Sequence, residues 1–114
     1  MHHRWGKDRR ILKSAEVKHI QSTGKSWRCK HFIVKRIESI SPRVAFTVSK
    51  KVGSAPIRNK VKRLLREILR KKRLPEMDLV FIVYRQAGLA TLKDFEKDID
   101  RFLLDVEAQL SRNR

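Results

Sequence analysis

One cysteine, Cys29, stands among 114 residues. An internal disulfide is therefore impossible, and so are a zinc ribbon and a CxxC redox pair; a reducing, cytoplasmic setting suits such a chain best. Long hydrophobic runs are missing too. The longest, from Leu79 to Tyr84, falls far short of the ~20 residues that a membrane helix needs, and no apolar stretch of signal-peptide type follows the basic N-terminus. A soluble, unsecreted protein with no membrane partner is expected. Negative charge is scarcest of all: 12 Asp plus Glu face 29 Lys plus Arg, a formal net charge of +17. A surface this cationic repels itself unless a polyanion covers it. That favours nucleic acid over a small metabolite or an acidic protein patch, with anionic membrane a weaker option.

Apolar residues are still plentiful enough for a core. Leu, Ile, Val and Phe make up roughly 30% of the chain, above the level of about 20% at which charged chains usually stay disordered. The length allows one domain, with no internal repeat or linker. Residues 1–10 carry charge without a period and read as a flexible basic arm, so the folded domain is expected over 11–114. Adjacent histidines at a terminus, here His2 and His3, are more often neither a metal site nor the remnant of a tag.

The elements follow from periodicity. Ser14 is placed to cap a short helix with Val17 and Ile20 on one side, which Gly24 should end in a left-handed conformation. His31–Glu38 and Arg43–Ser49 are β-branched and aromatic runs separated by Ser39-Ile40-Ser41-Pro42, and read as two antiparallel strands with a turn; Ser26–Cys29 is a candidate strand before them. Ser54 and Pro56 open a long helix. Its positions Ile57, Val61, Leu64, Leu65 and Ile68 form one apolar stripe at ~100° per residue. Leu74-Pro75 stops it, and Asp78–Tyr84 is a continuous apolar strand suited to a sheet interior. Thr91 and Asp94 make a capping box for a terminal amphipathic helix carrying Leu92, Phe95, Ile99, Phe102, Leu103, Val106 and Leu110.

No catalytic constellation emerges. Gly24-Lys25-Ser26 resembles the tail of a phosphate-binding loop, but His19 stands where the earlier glycine belongs and a helix precedes it. Asp94, Glu96, Asp98 and Asp100 scatter around a helix that needs a polar face, so a solvated face is a better account of them than a Mg²⁺ site. Cys29 has no evident base.

The basic face of the long helix is the informative feature. Asn59, Lys62, Arg63, Arg66, Arg70 and Arg73 lie opposite the apolar stripe, with Arg58 on its flank. Helices that carry cations only for solubility intersperse Glu for i, i+4 pairing, whereas between Lys60 and Arg73 only Glu67 is acidic. Phosphates would relieve that repulsion. Arginine grips phosphate oxygens with a planar fork, and Asn59 can hydrogen-bond a base edge or sugar hydroxyl. Three readings share these features: a subunit of an RNA-based enzyme, a structural RNA-binding protein such as a small ribosomal protein, and a DNA-binding module with the helix in a major groove.

The ordered segment Ser49-Lys50-Lys51-Val52-Gly53-Ser54-Ala55-Pro56-Ile57-Arg58-Asn59-Lys60-Val61-Lys62-Arg63-Leu64-Leu65-Arg66-Glu67 distinguishes them. It resembles the signature of the bacterial ribonuclease P protein subunit, and the similarity runs in outline from about residue 11 to 110. The resemblance implies an α+β fold: a single-domain α-β sandwich, a small central sheet with three helices and an unusual left-handed βαβ crossover. It implies a subunit of an endoribonuclease in which a large RNA, using bound Mg²⁺, removes the 5′ leader of precursor tRNA while the protein binds and positions. Lys50, Lys51, Arg58, Asn59, Lys60, Lys62, Arg63 and Arg66 would then lie on or near the catalytic RNA, with Arg70 continuing the same basic face. Between the first helix and the sheet, a cleft for the single-stranded leader would be lined at Val17, Gln21 and Lys35. All three depart from the aromatic residues usual there. The implied partners are the catalytic RNA and precursor tRNA, with no obligate protein partner.

Overall fold

The structure, a computed structural model, describes residues 9–11 and 13–112. Most of the expected arm, residues 1–8, therefore lies outside the described residues. Its last residue is tied down: Arg10 bridges Val44, and the Ile11 N–H donates to the Val44 carbonyl at 3.2 Å.

The elements run α1 (Ser14–Thr23), β1 (Lys25–Arg28), β2 (Phe32–Glu38), β3 (Arg43–Val48), α2 (Ala55–Arg70), β4 (Met77–Val83), a 3-10 turn (Arg85–Leu89) and α3 (Leu92–Arg112). They form an α+β domain of three helices and a four-stranded mixed sheet. None of these helices is long and apolar enough to cross a membrane.

The sheet order is β1-β2-β4-β3. β2 and β3 were expected to pair as a hairpin and do not, because β4 is inserted between them, antiparallel to β2 and parallel to β3. The cause is the composition of β4. Six of its seven residues are buried, so both faces need cover and both edges need partners, which only an interior position supplies. Since β3 and β4 are parallel, a crossover must join them, and α2 is that crossover.

Strand alternation sorts the side chains into two layers. Phe32, Val34, Val44, Leu79, Phe81 and Val83 face α2 and α3, meeting Val61, Leu65, Leu69, Phe95, Ile99, Phe102 and Val106 in the main core. Phe32 and Phe81 pack edge to face at 5.3 Å, and full burial of each such side chain is worth about 1.5–3 kcal/mol. On the opposite face Val80, Ile20 and Ile11 form a smaller cluster beneath α1, with Val17, Ile37, Ala45 and Ile82 packed around it.

Local expectations met the structure unevenly. Thr91 and Asp94 do form the capping box: the Thr91 N–H donates to Asp94 Oδ2 at 2.8 Å and the Asp94 N–H to Thr91 Oγ1 at 3.3 Å. Ser14 is not a cap. Lys13 holds the extended cap position without a side-chain bond, and Ser14 is the first helical residue. Ile57, expected in the apolar stripe, is 39% exposed, because the first turn of α2 lies outside the main core cluster, which draws on the helix only from Val61 onward. Arg73 lies beyond the end of α2, which is capped at Lys71. Asp98 is buried, not solvated, because His31 Nδ1 meets its Oδ2 at 2.6 Å and binds α3 to the turn before β2.

Gly24 was expected to be left-handed, yet its φ is −70° and its ψ 156°. Glycine is required there for proximity. A Cβ would stand 2.7 Å from the Ile20 carbonyl oxygen and 2.9 Å from that of Arg36, so the end of α1 closes directly on β2. Gly24→Ala should therefore cost about 1–3 kcal/mol, as overpacking against backbone does, although alanine tolerates this φ. Urea denaturation checks it; a stability unchanged within ~0.3 kcal/mol would mean that the contact relaxes at no cost.

Candidate nucleic-acid interface

α2 is amphipathic because its buried positions, Val61, Leu65, Ile68 and Leu69, occupy one sector at 100° per residue. The opposite sector carries Asn59, Arg63, Arg66 and Arg70, all exposed, with exposed Lys60 on one flank and half-buried Lys62 on the other. Lys50 and Lys51 are exposed on the turn that precedes the helix. Among the described residues none of Lys60, Lys62, Arg63, Arg66 and Arg70 has a carboxylate within 4.0 Å; the cation that does, Lys72, pairs with Asp100 of α3 at 2.8 Å, beyond the helix end. The helix thus presents unneutralised positive charge on a rigid frame.

Arg58 differs from its neighbours. It is half-buried at the edge of the apolar sector, and its Nε is enclosed with no hydrogen-bond partner among the described residues. A buried donor left unsatisfied costs about 1–3 kcal/mol.

Three residues were expected in a second site, between α1 and the sheet. Register defines its floor. One row across this face reads Ser26, Lys35, Val80, Ala45, and the next reads Arg28, Ile33, Ile82, Thr47. α1 lies against β2 and β4, and its side chains are fastened to β3 at two points. Arg43 donates from Nε and Nη2 to Asp78 at 2.9 and 2.8 Å and from Nη2 to Glu16 Oε2 at 2.7 Å, and Gln21 Nε2 donates to Thr47 Oγ1 at 2.8 Å. The bonds to Asp78 and then Glu16 hold the Arg43 guanidinium above its already high ordinary pKa. On the same face Lys35 Nζ of β2 donates to Ser26 Oγ of β1 at 2.6 Å.

The three expected residues therefore do not converge on one point. Gln21 and Lys35 face the same sheet surface from opposite sides, whereas Val17 packs into the cluster under α1 and borders a hollow of about 220 Å³. That hollow also takes in Lys62, Arg66 and Phe46, so it brings the first helix and the basic helix to one place. Phe46, with the Arg66 guanidinium 6.0 Å from its ring centre, and Thr47 were not singled out from sequence. Strand alternation puts them on opposite faces, but only the β4 insertion shows what each face meets.

The described residues contain no group of three or more His, Cys, Asp or Glu placed to hold a metal. Burial pushes the Cys29 thiol above its ordinary pKa, and its Sγ donates to the Phe32 carbonyl at 3.4 Å, which leaves little thiolate at neutral pH.

A family model described as Ribonuclease P matches residues 6–107. The chain belongs to the ribonuclease P protein family. The ribonuclease P protein component of Clostridium botulinum is 36% identical over 104 residues, covering 85% of this chain and 93% of the relative. That of Thermus brockianus is 42% identical over 80 residues, covering 70% of this chain and 49% of the relative, so the chain spans about half the length of the curated Thermus relatives it matches. Among solved structures, the Staphylococcus aureus RNase P protein superposes with a TM-score of 0.76 at 28% identity, covering 87% of this chain and 94% of that one. Ribonuclease P proteins thus share both the mixed sheet and the helix order described above.

Unneutralised charge on α2 has a consequence for the free protein. Like charges three and four residues apart, such as Arg63 with Arg66 and Arg66 with Arg70, each destabilise by about 0.2–0.5 kcal/mol when unscreened. Raising NaCl from 10 mM to 0.5 M should increase stability by ~1 kcal/mol and the Tm by roughly 5 °C. A Tm that is flat or falls with salt would show that the cations are neutralised within the fold.

Proposed function

We propose that this chain is the protein partner of an RNA-catalysed endoribonuclease that removes the 5′ leader from precursor tRNA. The observation that carries the reading is the outward sector of α2, five cations without acidic partners plus Asn59, on a chain of this family. Arg58, Asn59, Lys60, Lys62, Arg63, Arg66 and Arg70, with Lys50 and Lys51 beside them, bind the phosphates and sugars of the RNA subunit. The leader runs over the sheet face next to α1, past Gln21 and Lys35, with Val17 at the far wall.

The chain's own chemistry is binding and placement. Among the described residues no three His, Cys, Asp or Glu are grouped to hold a metal, and Asp94 is spent on a helix cap, Asp98 on His31, Asp100 on Lys72, and Asp78 and Glu16 on Arg43. The Mg²⁺ of such a reaction belongs to the RNA subunit. A +17 protein at the junction of two polyanions supplies screening that divalent ions must otherwise provide.

Reconstitution tests this reading. The chain alone should leave precursor tRNA intact, whereas adding it to ribonuclease P RNA at low Mg²⁺ should restore cleavage at the mature 5′ end. If ~6 phosphates are neutralised, log K for the RNA should fall against log salt with a slope of about −4 to −5, and Arg63→Ala should flatten that slope by nearly one unit. Leader removal by the chain without RNA, or a salt-independent affinity, overturns the proposal.

Lys35 offers a separate check on the leader path. Its ammonium is held only by a neutral hydroxyl, which a phosphate displaces at small cost. Lys35→Ala should weaken holoenzyme binding of leader-bearing tRNA by about 1 kcal/mol and leave mature tRNA unchanged. Equal losses on both substrates would place Lys35 off the path.

A further inference from the structure

Three apolar side chains break the surface at one corner, where the 3-10 turn meets the start of α2. Leu89 is 94% exposed, Leu92 45% and Ile57 39%. Exposed hydrophobics scattered singly need no explanation; Ile40, between β2 and β3, and Leu104, farther along α3, are of that kind. The corner differs in its rigidity and in its charge.

The backbone around Leu89 is pinned. A Cβ on Gly88 would stand 2.5 Å from the Val52 carbonyl oxygen and 3.7 Å from Ile57 Cγ2, so the turn lies directly on the segment that opens α2. Ala87 is fully buried, its N–H donates to the Tyr84 carbonyl at 3.0 Å, and the Ala90 N–H donates to the Ala87 carbonyl at 3.1 Å. Leu89 is projected into solvent from a fixed frame.

The rim is cationic. Lys51 precedes Val52, Lys60 lies one turn beyond Ile57 on the same flank of α2, Arg85 opens the 3-10 turn and Lys93 follows Leu92; all four are exposed. No acidic residue occurs from Tyr84 to Lys93, and Asp94 beyond them is committed to the Thr91 N–H.

We infer that Leu89, flanked by Leu92 and Ile57, is an apolar contact for the RNA subunit, packing on an unstacked base or ribose at the margin of the α2 interface while the surrounding cations take the phosphates. The inference rests on the proposed function and adds a non-ionic contact to it. An apolar tip inside a ring of cations matches a nucleotide, which is flat and apolar at the base and anionic at the backbone, and leucine is among the side chains that wedge against bases.

The test is a titration of ribonuclease P RNA with the full chain and its Leu89→Ser, Leu89→Phe and Arg63→Ala variants across a range of salt. Leu89→Ser should lower affinity by about 5- to 10-fold at every salt concentration with the salt slope unchanged, since it removes no charge, while Leu89→Phe should restore binding by stacking. Arg63→Ala should change the slope. The Tm of the free Leu89→Ser chain should match the parent, because the side chain is outside the core. Parent-like RNA affinity of Leu89→Ser, or a slope altered as much as in Arg63→Ala, overturns the inference while leaving the proposed function standing. Loss of self-association on sedimentation, with RNA affinity intact, also overturns it and assigns the corner to a second copy of the chain. Failure of the unmodified chain to bind the RNA removes both.

Discussion

The burial of β4 on both faces and along both edges is the constraint from which the rest of the architecture follows. Leu79, Val80 and Phe81 are completely inaccessible, and a strand of that composition is stable only where two neighbours take up its backbone groups and two layers cover its sides. Placing it between β2 and β3 makes the β3–β4 pair parallel, and a parallel pair needs a crossover. That crossover is α2, so the helix with the greatest charge is also the one that the topology holds against the sheet. Its apolar sector is fixed by Phe81, Leu79 and the phenylalanines of α3 through one shared core. The opposite sector contributes nothing to that core. It is the part of the molecule free to be selected for a ligand.

The two faces of the sheet are stabilised differently. Between the sheet and α2 with α3 the layer is almost wholly apolar, apart from His31 and Asp98 at its margin. Beneath α1 the buried cluster is small, made of Ile11, Ile20 and Val80, and much of the attachment is polar, through Arg43 to Glu16 and Asp78 and through Gln21 to Thr47. Asp78 is 5% exposed, and a buried carboxylate deprived of its guanidinium is strongly destabilising, by several kcal/mol. A polar attachment has directionality that a hydrophobic one lacks. It fixes α1 relative to β3, while the helix itself lies against β2 and β4.

How far the sequence spoke depended on whether a feature was local. The stripe of α2 from Val61 onward, the apolar run of β4, the capping box at Thr91 and the apolar face of α3 from Phe95 onward are set by residues within a few positions of one another and stand in the structure, whereas Ile57 and Leu92 at the heads of the two helices are exposed. Lys50–Glu67, an ordered motif on α2 and the turn before it, was enough to suggest the family. Pairing of β2 with β3 was inferred from adjacency, and adjacency lost to the burial demand of a strand 30 residues away. Gly24 misled for a related reason: its signal was read as backbone freedom, while its actual requirement is closeness to the carbonyls of Ile20 and of Arg36, the second a partner no local rule supplies. Asp98 looked like one acid among several on a polar face. Only the position of His31, 67 residues earlier, makes it an interior group.

The departures from aromatic character at Val17, Gln21 and Lys35 acquire a physical sense once their contacts are known. Stacking an aromatic on a base is worth about 1–3 kcal/mol, and none of the three can supply it: Val17 is half-consumed by the cluster under α1, Gln21 has given its amide N–H to Thr47, and Lys35 is the one side chain with charge to offer. On the proposed reading, leader binding shifts from stacking, which is indifferent to salt, to phosphate contact, which is not. Charge alone holds a strand without fixing its register. Position along the strand must then come from how the RNA subunit is seated, and on the proposed reading the apolar corner at Leu89 and the hydrogen-bonding Asn59 are the non-ionic contacts that would fix that seating. A protein so cationic needs few such points, because its field assembles the complex and the neutral contacts only have to set the register.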